Sequence, residues 1–228
     1  MSKYQDTKEE VLKRVKELVK KGFLMATGGN ISMRILEEDA FVITPSNLDY
    51  MTMTVEDLCV LDFSLNVIEG ERTPSVESGM HGAIYEVRGD VNAIVHTHQV
   101  YTSSLTLIGA AIPSLFDEQA RFLGRSVDII PYGPSGTGML KNKIAKHVKN
   151  HNNAFMMKNH GALIFGHDIQ RAIHNVEILE KCALAYLLAL CTERKVSKIP
   201  LVVREVAFAK LRKDQKKVEA GDFDLGGE

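Results

Sequence analysis

The sequence predicts an α/β protein with a sheet covered by helices, on three observations. Short apolar runs that fit strands alternate with stretches whose apolar residues recur at helical spacing. No repeat, linker or low-complexity tract divides the chain. Its 228 residues with 45% hydrophobic content are enough for one sizeable core. The expectation is a single domain over 1–228, ending in a C-terminal helix and flexible tail from about residue 196.

Taken in order, Thr7-Lys8-Glu9-Glu10 reads as a capping box before Val11, Val15, Leu18 and Val19, which have helical spacing and stop at Gly22. Ala26 to Ser32 is a glycine-bearing loop leading into a strand. Phe41 to Thr44 is a short strand that Pro45-Ser46-Asn47 breaks. Cys59 to Phe63 and Leu65 to Ile68 read as paired strands, or one strand with a bend. Pro74-Ser75-Val76-Glu77 opens a helix with Met80, Ala83, Ile84 and Val87 on one face; Ser75 can cap it, and Glu77 falls in the first turn, where an acid suits the helix dipole. Val91 to Val95 is a strand and Tyr101 to Ile108 a short helix. After the polar Asp117, Glu118, Gln119 and Arg121 come a strand at Asp128 to Pro131, a loop at Pro134 to Gly138 and a helix carrying Leu140, Ile144 and Val148. Ala154 to Met157 and Ala162 to Phe165 are apolar runs. Asp168 caps a long helix with a 3.6-residue apolar period, and Pro200 opens the last one.

Charge narrows the partners. The formal net charge is −1 with both signs interspersed, so no nucleic acid and no membrane is expected as partner. No apolar run approaches the ~18 residues that span a bilayer, and the first residues do not resemble a signal peptide. Cys59, Cys182 and Cys191 form no CxxC pattern and are read as the thiols of a reducing, cytoplasmic protein.

The stretch with the clearest chemistry is Val91 to His98, an apolar run ending in His96-Thr97-His98. Side chains at i and i+2 share one face of a strand, so the two imidazoles can converge on one ion. A catalytic zinc site needs three protein ligands and an open position. The third candidate is His160, at the end of another apolar run and followed by Gly161, which permits close backbone approach. His81, His147, His151, His167 and His174 are read as surface or satisfied core residues.

Gly29-Asn30-Ile31-Ser32, Thr44-Pro45-Ser46, Pro74-Ser75-Val76-Glu77, His96-Thr97-His98 and Asn159-His160-Gly161, in this order and at these intervals, resemble the class II aldolase/adducin family. The resemblance extends from about residue 7 to 195, and five ordered motifs are far more specific than any one. It implies a three-layer α/β/α fold with a central mixed sheet, and a homotetramer with active sites at subunit interfaces. It implies one Zn2+ per chain on His96, His98 and His160, with Glu77 completing the metal site and serving as acid/base. It implies that Asn30, Ser46 and Ser75, with the backbone near Gly29 and Asn47, hold the phosphate of a sugar-phosphate substrate.

Two positions depart from the pattern of the fuculose-phosphate aldolases within that family. Ser75-Val76 stands where they have paired serines, and Asp117 stands where they have a tyrosine proton donor; no tyrosine follows Tyr186 to replace it. The implied reaction is cleavage of a ketose 1-phosphate, of the fuculose, deoxyribulose or methylthioribulose type, to dihydroxyacetone phosphate and an aldehyde. Breaking a carbon–carbon bond beside a ketone leaves negative charge, which a metal stabilises as a Lewis acid without a Schiff-base lysine. A decarboxylase of a 3-oxo sugar-acid phosphate and a pentulose-phosphate 4-epimerase use the same chemistry. An inactive adducin-like interaction module is the alternative of another class; the three histidines and Glu77 speak against it.

Overall fold

The computed structural model of the chain describes residues 2–26 and 28–222. The expected flexible tail at 221–228 lies, from residue 223, outside the described residues. In chain order the elements are α1 (Gln5–Lys20), β1 (Asn30–Ile35), β2 (Ala40–Ile43), β3 (Cys59–Asp62), β4 (Val67–Glu69), α2 (Ser78–Val87), β5 (Ala93–Thr97), α3 (Val100–Ile108), α4 (Asp117–Phe122), β6 (Asp128–Ile130), α5 (Gly138–His147), β7 (Ala154–Met157), β8 (Ala162–Gly166), α6 (Ile169–Leu190) and α7 (Leu201–Glu219). The strands form one sheet of 8 in the order β4-β3-β2-β1-β5-β8-β7-β6. Among the described residues only β6 and β7 pair in parallel; the other neighbours are antiparallel.

Successive side chains of a strand point to opposite faces, and here both faces are covered. Ala93 and Val95 of β5 enter a core with Val11 and Val15 of α1, Leu105 of α3 and Val176 and Leu179 of α6. Ile94 enters a second core with Met80 and Ile84 of α2 and Leu140 and Ile144 of α5. The result is the three-layer α/β/α arrangement, with α4 and α7 packed together beside α6. By the same alternation His96 points to the α2/α5 side, where Asn30 of β1 and Leu163 of β8 lie opposite it in register.

Two helix starts differ from the sequence reading. Helix α1 begins at Gln5, before Thr7, so no capping box forms there. A tertiary anchor takes its place: Tyr4 is buried and its hydroxyl donates to Glu38 at 2.9 Å, while the buried Lys8 pairs with Glu69 at 2.5 Å. Helix α2 begins at Ser78, so Ser75 is not its N-cap; Glu77 occupies that position but its side chain caps nothing.

The C-terminal end of α2 is fixed by Arg88, which is fully buried. Its guanidinium meets both oxygens of Asp90 at 2.7 Å, the carbonyls of Val148 and Asn152 at 3.0 and 2.9 Å, and Asn153 Oδ1 at 3.1 Å. Cys59 and Cys182 are buried free thiols and Cys191 an exposed one. Among the described residues no helix is long and apolar enough to cross a membrane.

Candidate active site

Three imidazoles meet where β5 ends. His96 is the fourth residue of β5, His98 follows the strand, and His160 sits in the turn between β7 and β8, which Met157 N closes by donating to Gly161 O at 2.7 Å. Asn159 takes a left-handed φ of 54° in that turn, a conformation asparagine tolerates. A Cβ at Gly161 would lie 2.6 Å from His98 Cδ2 and 3.2 Å from His96 Cε1, so only glycine lets the rings close together. The ligating nitrogens of His96, His98 and His160 all fall within 4.8 Å of one another.

Glu77 completes the group from the α2 side. Its Oε2 is 3.3 Å from His96 Nε2 and its Oε1 is 3.2 Å from His160 Nε2. Asn30 Nδ2 donates to Oε2 at 2.8 Å and Ser135 Oγ donates to Oε1 at 2.5 Å. Burial opposes its ionisation, yet His96 and the hydrogen bonds from His160 and Ser135 prevail and hold the carboxyl well below the usual carboxylate range. Burial pushes His96 down to about 4 and lowers His98 as well, against the Glu77 charge nearby. His96 donates Nδ1–H to the Ala162 carbonyl at 2.8 Å, which leaves its Nε2 lone pair facing the cluster.

This donor set fits a divalent metal. Imidazoles with nitrogens gathered at a common point, beside a carboxylate, are what zinc and similar ions bind. His98 Nε2 approaches His96 Nε2 to 3.0 Å, within hydrogen-bond distance, so the rings already stand at one point.

The loops expected to hold phosphate border the cluster and are laced to one another. Gly29 has φ 90°, and a Cβ there would stand 2.5 Å from the His96 carbonyl; Tyr50 Oη donates to the Gly29 carbonyl at 2.5 Å. Ser46 Oγ donates to Pro74 O at 2.9 Å and accepts from Val76 N at 3.1 Å, so its hydroxyl joins the two loops. Ser75 Oγ accepts from Glu77 N at 3.2 Å, and its own hydrogen has no partner among the described residues. Asn47, at φ 54°, turns the chain after Ser46. Asp117 stands apart: it is the exposed first residue of α4, and no described contact joins it to the histidines.

Three residues at the site were not identified by the sequence reading. Ser135 lies in the Pro134 to Gly138 loop; a hydroxyl in a loop that follows a strand, as at Ser46, is the signal that marks it. Tyr50 had no local pattern; burial, with Glu77 nearby, pushes its hydroxyl up to about 12. His81 is a satisfied core histidine, as read, but its Nε2 is 2.5 Å from Asn30 Oδ1.

Residues 9–187 match the model of the class II aldolase and adducin N-terminal domain. The chain is 34% identical over 182 residues, 80% of its own length and 84% of the relative's, to a 5-deoxy-D-ribulose 1-phosphate aldolase of Bacillus thuringiensis serovar kurstaki. It is 30% identical over 187 residues, covering 82% of itself and 99% of the relative, to an L-fuculose phosphate aldolase of Methanocaldococcus jannaschii. A solved L-fuculose 1-phosphate aldolase superposes with a TM-score of 0.86 at 32% identity, over 93% of this chain and 98% of the other.

Proposed function

This chain belongs to the class II aldolase and adducin family, and from that membership we propose that it is a zinc-dependent aldolase splitting a ketose 1-phosphate into dihydroxyacetone phosphate and an aldehyde. The observation that carries the reading is the placement of Glu77, with one carboxylate oxygen toward His96 and the other toward His160. A module retained only for binding other proteins has no need of a buried carboxylate against three histidines.

His96, His98 and His160 would hold the zinc, which supplies a Lewis acid for the negative charge that develops beside the ketone. In the condensation direction Glu77 takes a carbon-bound proton from dihydroxyacetone phosphate. In cleavage it returns that proton to the same carbon. Ser75 Oγ–H, the second Nδ2 hydrogen of Asn30 and the backbone around Gly29 and Asn47 bind the phosphate through neutral donors and orient the reacting carbons. Ser46 contributes by holding the two loops together, since its hydroxyl already donates to Pro74.

The proton needed at the aldehyde oxygen is assigned to Asp117 of a neighbouring subunit in a homotetramer. Its exposure and its lack of contact with the histidines of its own chain favour that placement, as do the exposed Val100, Tyr101, Leu107 and Ile108 of α3. Light scattering at assay concentration is expected to report a tetramer, and a fully active monomer contradicts this part of the reading. A reducing cytoplasm suits the three unpaired thiols.

The deciding experiment incubates the zinc-loaded protein with dihydroxyacetone phosphate and a panel of aldehydes, acetaldehyde, lactaldehyde and methylthioacetaldehyde among them. Condensation products are expected with one or more. If none forms with any aldehyde, the decarboxylase of a 3-oxo sugar-acid phosphate becomes the better assignment.

A further inference from the structure

The carboxylate of Glu77 ends a line of polar side chains that leads away from the three histidines into the core: Glu77, Asn30, His81, Ser32 and Tyr85, none more than 6% exposed. The direction of every bond in it follows from the first. A charged carboxylate only accepts, so the Asn30 atom 2.8 Å from Glu77 Oε2 is the amide nitrogen. The Asn30 carbonyl oxygen then faces His81 Nε2 at 2.5 Å, and since that oxygen also only accepts, Nε2 carries the imidazole hydrogen. His81 Nδ1 is left bare and accepts from Ser32 Oγ at 2.6 Å. Ser32 Oγ in turn accepts from Tyr85 Oη at 2.7 Å.

We propose that His81 is a positioning residue that sets the orientation of the Asn30 amide and, through it, the place of the Glu77 carboxylate. With His81 in the Nε2–H form, turning the amide over would set two acceptors together at Glu77 and two donors together at His81, both at buried positions where such a clash is costly. One orientation remains. It gives one Nδ2 hydrogen to Glu77 and leaves the second for the substrate, so a single amide ties the position of the base to the position of the phosphate. The Asn30 carbonyl requires Nε2–H of the histidine, and Ser32, with Tyr85 behind it, supplies the donor that the bare Nδ1 then needs.

The kinetic part of the test rests on the aldolase reading; the spectroscopic part does not. Long-range proton–nitrogen spectra of the full-length, zinc-loaded protein labelled with nitrogen-15 in histidine and asparagine are expected to show His81 as the neutral Nε2–H tautomer. The Asn30 side-chain amide, identified by its loss in Asn30→Ser, is expected to move in His81→Asn, whose side chain is too short to donate to it, and to return near its original position in His81→Gln, which restores a donor at the distance of Nε2. For proton exchange of dihydroxyacetone phosphate in heavy water, His81→Asn is expected to lower kcat about 100-fold with KM changed less than about 3-fold, and His81→Gln to recover most of the loss. An Nδ1–H tautomer, an Asn30 amide indifferent to His81→Asn, or equal losses in the two variants overturns the proposal. A wild-type protein that exchanges no proton refutes the aldolase reading, while the wild-type tautomer and the Asn30 amide still decide the role of His81, even where a variant does not fold.

Discussion

Helix α2 has a buried charge at each end, and the two ends are built to opposite purposes. At its C-terminal end Arg88 is enclosed by its own chain: the Asp90 carboxylate, two backbone carbonyls and Asn153 take all its hydrogens. At its N-terminal end Glu77 receives hydrogens from Asn30 and Ser135 and stands against three imidazoles whose nitrogens gather within 4.8 Å of one another. A buried charge whose valences close on its own chain specifies the fold. One set against several gathered imidazole nitrogens marks where a metal can bind.

The comparison breaks most sharply through the metal. Removing it with a chelator, or replacing His98 by Ala, is expected to abolish activity while circular dichroism stays that of the folded protein; elemental analysis should fall from about one metal per chain in the wild type to near none in the variant. Full metal occupancy in His96→Ala, His98→Ala and His160→Ala together would sink the assignment of the ligands. Glu77→Gln should retain the metal and the fold but slow proton exchange of dihydroxyacetone phosphate by on the order of 10²- to 10⁴-fold. Exchange as fast as wild type in that variant moves the base elsewhere.

At the other end Arg88→Ala should do the reverse. Removing one partner of a buried ion pair costs about 3–5 kcal/mol, read as a lower denaturant midpoint, while the molecules that remain folded keep their kcat. A loss of kcat larger than the loss of folded protein would show that the two ends of α2 are coupled. The smallest effect expected is that of Ser135→Ala, which deletes one hydrogen bond to a charged oxygen and should reduce kcat about 10-fold, with metal content and KM nearly unchanged. No change at all would mean that water replaces the hydroxyl.

Much of the site was legible because its signals are local. His96 and His98 are two residues apart at the end of an apolar run, and strand alternation puts such a pair on one face whatever the rest of the chain does. Gly161 beside His160 signalled close packing, and the structure shows the two rings that need it. The capping box at Thr7 failed because a cap contributes about 1 kcal/mol, and the buried Tyr4 and Lys8 outweigh it. Ser135 reaches Glu77 from 58 positions along the chain and His81 reaches Asn30 from 51, and no pattern of neighbouring residues encodes either meeting.

By its order of residues alone, then, this protein specified the alternation of strands and helices, the three histidines, the acid before α2 and the family these motifs mark. Those properties follow from the backbone period and from residue chemistry, which act over a few positions. Only the tertiary structure decided that the Glu77 side chain turns from its helix to the imidazoles, that Ser46 laces two loops, and which way the Asn30 amide points. Each of these depends on which donor and acceptor of distant segments arrive at the same buried place, where an unmet hydrogen bond is too costly to leave.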